Sequence, residues 1–138
     1  MRELPRQLTR PELEELFSGP SLLVDQLADG YDPLDRAEEV ALSLDERDQA
    51  AALAQHPRIG EPSPEQRGGD PAIITELAYL NQVYEEKFGF RFVVFVAGRS
   101  RAELLSVLRE RLERTREEEL ETGMRELVAI ARDRWQRR

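Results

Sequence analysis

Apolar residues recur at helical spacing along most of this chain, and the longest stripe follows Asp70. Its members lie at steps of 4, 3, 4 and 4: Ile73, Leu77, Leu80, Tyr84 and Phe88. Such spacing places all of them on one face of a helix. Gly89 stands where a left-handed C-cap belongs, and Phe90 follows it to pack back on the last turn. The pattern predicts a helix from Pro71 to Phe88.

Polar residues that cap helices divide the rest of the chain into further helices. Four capping boxes occur, each a Ser or Thr followed three positions later by Glu: Thr9–Glu12, Ser43–Glu46, Ser100–Glu103 and Thr115–Glu118. Ser21 and Asp32-Pro33 begin two more helices. The predicted helices are a first one that ends before Gly19-Pro20, then Leu22 to Ala28, Pro33 to about Leu42, Ser43 to about Gln55, the helix after Asp70, Ser100 to about Glu113, and Thr115 to about Arg137.

One apolar segment does not follow the helical spacing. Phe92-Val93-Val94-Phe95-Val96 has the composition of a strand. A lone strand leaves its edges without partners, so an extended buried connection is expected here rather than a sheet. The fold prediction is therefore all-α, a single domain over residues 1–138 with six to eight helices and one extended apolar connection.

Composition excludes several classes of function. The 138 residues carry a formal net charge of −8, which disfavours nucleic acid as a partner. The chain has no cysteine, so disulfides and thiolate metal sites are excluded. Its longest apolar run, Phe92 to Ala97, is far shorter than the roughly 20 residues of a membrane span. The polar start, Met1 to Arg10, does not have the pattern of a signal peptide, and a cytoplasmic location is expected.

His56 is the only histidine and the natural carrier of a proton near neutral pH. It stands at a helix end, because Pro57 biases it away from helical dihedrals. A single histidine at such a place is more often a cap or a surface residue. Without a second His or Cys, a metal site is poorly supported. The segment Pro57 to Pro71, with four prolines and three glycines, is longer than the usual helix connection and needs a functional explanation.

Two charged residues are candidate partners for this imidazole. Glu65 lies in the same loop, and a carboxylate beside an imidazole orients the ring and raises its basicity. Among 28 acidic residues, however, most glutamates are solvated surface. Arg134 continues an apolar seam on the last helix that contains Leu120, Met124, Leu127 and Ala131. An arginine on that face needs an anionic partner, either a structural glutamate or a bound acid, although compensation of the helix dipole is the simpler explanation.

Several motifs resemble the 2-oxo-4-hydroxy-4-carboxy-5-ureidoimidazoline (OHCU) decarboxylases of urate breakdown. They extend over more than half of the chain. In order they are His56-Pro57-Arg58-Ile59-Gly60-Glu61, Glu65-Gln66 with Gly68, Leu80-Asn81-x-x-Tyr84-x-x-Lys87-Phe88-Gly89-Phe90 with Phe92-Val93-Val94, Arg111-Leu112, and Glu126-Leu127 with Ile130-Ala131 and Arg134. The combination of the His-Pro-x-Ile-Gly and Lys-Phe-Gly-Phe elements is specific.

The resemblance implies an all-α enzyme, often a dimer, that decarboxylates its substrate to (S)-allantoin without a cofactor or a metal. His56 then matches the catalytic acid/base, Glu65 the carboxylate beside it, and Arg134 the arginine that holds the substrate. The positions that match substrate contacts are Pro57, Ser63, Gln66 and the backbone of Phe92, Val93, Val94, Phe95 and Val96.

The chain also departs from the family pattern, and other functions stay open. Ser63-Pro64-Glu65 has one residue fewer than the usual Ser-x-x-Glu spacing, Tyr31-Asp32-Pro33-Leu34 replaces an Arg-Pro-Phe element, and Trp135 replaces a leucine. One alternative is a non-catalytic helical module that binds a partner protein. Another is a divergent lyase that acts on a related ureide acid.

Overall fold

The structure, a computed structural model, describes residues 2–59 and 70–138, which form seven α-helices and no strand. The helices are α1 (Arg10–Leu16), α2 (Leu22–Ala28), α3 (Pro33–Ser43), α4 (Glu46–Leu53), α5 (Pro71–Phe88), α6 (Arg101–Arg111) and α7 (Arg116–Gln136). The all-α prediction with six to eight helices is confirmed. Residues 91–96 form no regular element, as expected for the apolar connection between α5 and α6.

Helix α7 lies at the centre of the packing. It contacts α1, α3 and α4, while α5 packs against α6. The predicted seam of α7 is buried at Leu120, Met124, Leu127 and Ala131. Gly123 lets α4 approach closely, because a Cβ atom there would lie 3.3 Å from two side-chain carbons of Leu53. The end of α4, where His56 follows, is therefore held against α7.

Helix α5 has the boundaries that the stripe predicts. Leu77, Tyr84 and Phe88 are buried, and Gly89 takes a left-handed conformation with φ of 82°. The ring of Phe90 stacks on that of Phe88, with centroids 5.9 Å apart. The chain thus turns sharply after α5 and enters the core as the apolar connection.

Three of the four predicted capping boxes are confirmed, at Thr9, Ser100 and Thr115. The fourth, at Ser43, is wrong: α3 runs through Ser43, and the side chain of Asp45 caps α4 by accepting from the amide of Asp48. The reason is tertiary. Buried Gln49 donates to the carbonyl of Ala41 at 2.9 Å, which ties α4 to the end of α3 and fixes where each helix stops.

Within the described ranges, we find no helix whose length and apolar content suit it to crossing a membrane.

Candidate active site

A cavity of about 830 Å³ lies between the ends of α1, α4 and α7 and the apolar connection. Residues from four separate parts of the chain line it. They are Glu15, Leu16, Ser18, His56, Pro57, Ile59, Phe92, Val93, Val94, Phe95, Val96, Ala97, Gly98, Arg99, Ile130, Asp133, Arg134, Arg137 and Arg138. Every predicted site residue that the structure describes is in this set.

His56 reaches the cavity from the end of α4. Its amide donates to the carbonyl of Leu53 at 3.2 Å, and only 4% of the residue is exposed. The guanidinium Nη1 of Arg91 donates to the carbonyls of Ala54 and His56, at 2.8 and 2.6 Å. A cation at the C-terminal end of a helix is favourable, and here it also fixes the backbone that carries the imidazole.

The segment after His56 is attached to α5. Arg58 and Glu85 form a two-point ion pair, with Nε–Oε2 at 2.7 Å and Nη2–Oε1 at 3.1 Å. The buried amide of Asn81 donates to the carbonyl of Ile59 at 3.3 Å. These contacts fix Pro57 to Ile59 on the wall of the cavity, so α5 positions the imidazole through the backbone.

Arg134 reaches the same cavity from α7. Its Nη1 donates to the hydroxyl of Ser18 at 2.7 Å and to the carbonyl of Leu16 at 3.2 Å, at the C-terminal end of α1. Arg134 is half-buried, whereas Arg125 on the same helix is exposed. Long-range contacts of this kind give the guanidinium one orientation at the cavity wall.

The apolar connection forms the floor of the cavity. Phe92, Val93 and Val94 are 1 to 5% exposed. The carbonyl of Val93 accepts from Nη1 of Arg111 at 2.8 Å, and the amide of Phe95 donates to Oε1 of Glu126 at 3.2 Å. The backbone of this segment is therefore held by charged side chains rather than by a neighbouring strand.

A buried polar cluster lies behind this floor. Glu119 accepts from the hydroxyl of Tyr84 and from Nε of Arg111, both at 2.7 Å, and from Arg114 at 3.0 Å. Burial, and then the hydrogen bond to Glu119, raise the pKa of Tyr84 well above its ordinary value of 10.0. The phenol is neutral at physiological pH and serves as a donor to the carboxylate.

The described wall of the cavity is rich in cations although the chain is acidic overall. Four arginines face two carboxylates there. Two of these arginines are paired locally: Arg137 with Asp133 at 2.8 Å and Arg138 with Glu15 at 3.6 Å. The described part of the wall thus holds more positive than negative side chains, which suits a small anionic ligand.

Ser63, Glu65 and Gln66 lie outside the described residues, so the place of Glu65 beside His56 and the substrate contacts of Ser63 and Gln66 stay predictions. Within ranges 2–59 and 70–138, no group of three or more His, Cys, Asp or Glu side chains comes together in a way that could hold a metal ion.

Sequence reasoning missed the residues that hold the backbone of the site: Asn81, Glu85, Arg91, Arg111 and Glu126. Arg91 had one available signal, since it is a charged residue between Phe90 and Phe92 in an apolar run. Asn81 and Arg111 belong to the motifs that carry the family resemblance, but the motifs alone assign them no partner.

The chain is similar to known proteins in sequence and in fold. The family model described as OHCU decarboxylase matches residues 8–136. In a crystal structure of an OHCU decarboxylase in the presence of (S)-allantoin, the superposed chain is 28% identical with a TM-score of 0.79, over 89% of this chain and 94% of that one.

Two relatives in sequence are named as proteins of uric acid degradation. The uric acid degradation bifunctional protein of Bacillus sp. (strain TB-90) is 28% identical over 110 residues, which cover 71% of this chain and 22% of the relative. The uric acid degradation bifunctional protein TTL of Arabidopsis thaliana is 35% identical over 96 residues, or 57% of this chain and 30% of the relative. The chain thus spans less than a third of the length of these relatives. Because the family model covers nearly all of it, the chain belongs to the OHCU decarboxylase family.

Proposed function

We propose that this chain is a carboxy-lyase that converts 2-oxo-4-hydroxy-4-carboxy-5-ureidoimidazoline to (S)-allantoin in the degradation of urate. One observation carries the proposal: His56, Pro57, Arg134 and the five residues from Phe92 to Val96 line a single cavity. These residues are far apart in the sequence, and the family resemblance selects them together. The related crystal structure in the presence of (S)-allantoin supports the same ligand class.

The reaction needs no electron sink from the protein. When the bond between the ring carbon and its carboxylate breaks, the electron pair moves into the conjugated imine of the substrate, and carbon dioxide leaves. The imine nitrogen, which receives the electron pair, takes up one proton, and the carbon that carries the ureide gains another. The carbon that lost its carboxylate gives up its hydroxyl proton and becomes a carbonyl. The net change consumes one proton from solution. In other decarboxylases a cofactor accepts this electron pair, whereas here the imine of the substrate accepts it.

The residues of the cavity have distinct roles in this scheme. Arg134 binds an anionic group of the substrate and sets its orientation, which the anchor at Ser18 makes reproducible. His56 moves the proton, and its burial keeps water from protonating the intermediate on the wrong face. Protonation from one face gives one enantiomer of allantoin. Glu65 orients the imidazole, and Pro57, Ser63 and Gln66 contact the substrate.

The test is the appearance of optically active allantoin. Freshly generated products of urate oxidation are incubated with the protein, and the circular dichroism of allantoin is followed over time. We expect a faster rise than in buffer and an excess of the (S) form. A rate and a handedness equal to those of the spontaneous reaction would overturn the proposal and favour a non-catalytic module.

The remaining features of the proposal concern the whole molecule. It comprises one domain over residues 1–138 that works as a cytoplasmic homodimer without a cofactor, as the family resemblance implies. Light scattering coupled to size exclusion measures the mass directly, and a mass near 15.9 kDa would contradict the dimer.

A further inference from the structure

The cavity floor contains three consecutive peptide groups. In each of them, either the C=O or the N–H forms a hydrogen bond with a charged side chain. The carbonyl of Val93 accepts from Nη1 of Arg111 at 2.8 Å. The amide of Phe95 donates to Oε1 of Glu126 at 3.2 Å, and the carbonyl of Phe95 accepts from Nη2 of Arg99 at 2.5 Å. Arg111, Glu126 and Arg99, here called the backbone clamp, come from α6, from α7 and from the turn before α6.

In each peptide group, the hydrogen bond to the clamp also fixes the direction of the C=O or N–H that does not take part in it. All described peptide bonds are trans, so the C=O and N–H of one peptide group point in opposite directions. The amide and carbonyl of Val94 and the amide of Val96 therefore point away from the clamp. Nothing in ranges 2–59 or 70–138 makes a hydrogen bond to these three groups, and both residues line the cavity. Val94 is buried and Val96 is half-buried, and polar backbone groups in such places need a partner.

The family resemblance already implies that the backbone of Phe92 to Val96 contacts the substrate. We propose that the backbone clamp consists of positioning residues for this contact, which fix the carbonyl of Val94 and the amide of Val96 in the direction of a planar ureide, lactam or imide. A carbonyl and an amide two residues apart on an open edge match the adjacent N–H and C=O of such a group. Arg134 then binds the acidic group of the substrate, and the backbone held by the clamp binds its neutral ureide group. The inference rests on the proposed function for the identity of that ureide.

Charge makes the clamp effective. Hydrogen bonds to ionised side chains are roughly twice as strong as those between neutral groups. Three of them in succession prevent the peptide groups from turning when the cavity is filled with water. The backbone is thus ordered before the ligand arrives, and binding does not have to supply the cost of that ordering.

Glu126 is the best member of the clamp to substitute, because the other two members have further contacts. Arg111 also pairs with buried Glu119, and Arg99 itself lines the cavity, whereas the half-buried side chain of Glu126 holds the Phe95 amide. Glu126→Ala removes that contact, and Glu126→Gln keeps an acceptor oxygen at the same place. Glu121→Ala is the matched control, since Glu121 is an exposed glutamate on the same helix and pairs with Arg125.

The probe is (S)-allantoin, a ureide without a carboxylate, titrated into ¹⁵N-labelled protein while the amide resonances of Val94 and Val96 are followed. We expect both resonances to shift in the wild-type protein and in Glu121→Ala. In Glu126→Ala, allantoin binding weakens about tenfold and KM rises about as much, while kcat and the thermal midpoint change little. Glu126→Gln restores most of the affinity.

The outcomes distinguish this inference from the proposed function. Shifts at Val94 and Val96 that weaken in Glu126→Ala but not in Glu121→Ala, in a protein without decarboxylase activity, would support the inference and end the proposed function. Decarboxylation without these shifts would leave the function standing and overturn the inference, and so would wild-type affinity in Glu126→Ala. If Glu126→Ala does not fold, the wild-type titration and Glu126→Gln still decide the question.

Discussion

The carboxylate of Glu119 and the guanidinium of Arg111 form an ion pair 2.7 Å long from which water is nearly excluded, with side chains 0% and 6% exposed. The same guanidinium lies over the ring of Phe92 at 4.5 Å and donates to the carbonyl of Val93. One buried charge pair thus connects the core of the helical bundle to the floor of the cavity. Loss of this ion pair would therefore also disturb the floor of the cavity.

Removing one partner of this pair is therefore costly. Glu119→Ala leaves the charge of Arg111 buried without its counter-ion, and we expect a loss of about 3–5 kcal/mol in the free energy of unfolding. Urea unfolding followed by circular dichroism measures it. Glu121→Ala, which breaks an exposed pair on the same helix, serves as the control and is expected to change little. Equal losses in the two variants would contradict a special role for the buried pair.

Tyr84 makes the stability of the fold sensitive to alkaline pH. Its pKa is raised in the folded protein, first by burial and then by the bond to Glu119. Above about pH 10 the unfolded chain loses the phenolic proton while the folded chain keeps it, so stability falls as the pH rises. Below that pH the contribution is complete. The limiting slope for one proton is about 1.4 kcal/mol per pH unit.

The measurement is a series of urea unfolding curves between pH 8 and pH 11.5, in the wild-type protein and in Tyr84→Phe. We expect the variant to be less stable at pH 8, because Glu119 loses a donor, but to show a smaller decline above pH 10. Tyr79→Phe is the control for an exposed tyrosine. Parallel declines in all three proteins would refute the assignment to Tyr84.

Local sequence chemistry was enough to predict most helix boundaries. A capping residue and the helix that it starts are neighbours in the chain, so Thr9, Ser100 and Thr115 were recognisable without tertiary information. Ser43 failed because Asp45, two positions later, is an equally good cap. The choice between them depends on Gln49 reaching back to Ala41, which no local pattern contains.

The candidate site was predictable in part, and for a different reason. His56 stood out as the only histidine and Arg134 as an arginine on an apolar seam. The family resemblance then gave them roles and added the backbone of the apolar connection, and the fold brings all of these to one cavity. The partners that hold them were not predictable, because each contact joins positions far apart in the sequence. Arg91 reaches His56 across 35 positions and Glu126 reaches Phe95 across 31. Several exposed arginines and glutamates had the same chemistry, and only the packing of the helices selects among them.

His56 is expected to be essential to the reaction but not to the fold. In His56→Ala, kcat for allantoin formation should fall by about 10²–10⁴-fold, the usual contribution of acid/base catalysis. The helical circular dichroism should persist, because Arg91 binds the backbone carbonyl of this residue rather than its ring. The neighbouring exposed residue gives the control variant Gln55→Ala. Full activity in His56→Ala would remove the imidazole from the mechanism.

Arg134 should not tolerate replacement by lysine. An ammonium keeps the charge, but it cannot hold the end of α1 and an anion from one planar group. We expect Arg134→Lys to lower kcat/KM about tenfold or more, mostly through KM. Arg132→Lys is the matched control, because Arg132 lies on the same helix outside the described cavity wall and donates to the carbonyl of Leu34. The prediction fails if both variants behave alike.

The turn after α1 offers a test of how the fold supports Arg134. Gly19 has φ of 145°, a conformation that almost only glycine adopts, and a Cβ atom there would also displace the exposed side chain of Gln55. Gly19→Ala should cost about 1–3 kcal/mol in the free energy of unfolding. It should also reduce activity, since Ser18 accepts from Arg134 in the same turn.

Gly89→Ala is the comparison variant for this turn. Gly89 also has a positive φ, of 82°, but a Cβ atom there meets nothing within 4 Å, and the residue lies outside the described cavity wall. We expect Gly89→Ala to cost about 1–2 kcal/mol with full activity. Urea unfolding and the allantoin assay, applied to both variants, separate strain from function. An active Gly19→Ala protein would mean that the orientation of Arg134 does not depend on this turn.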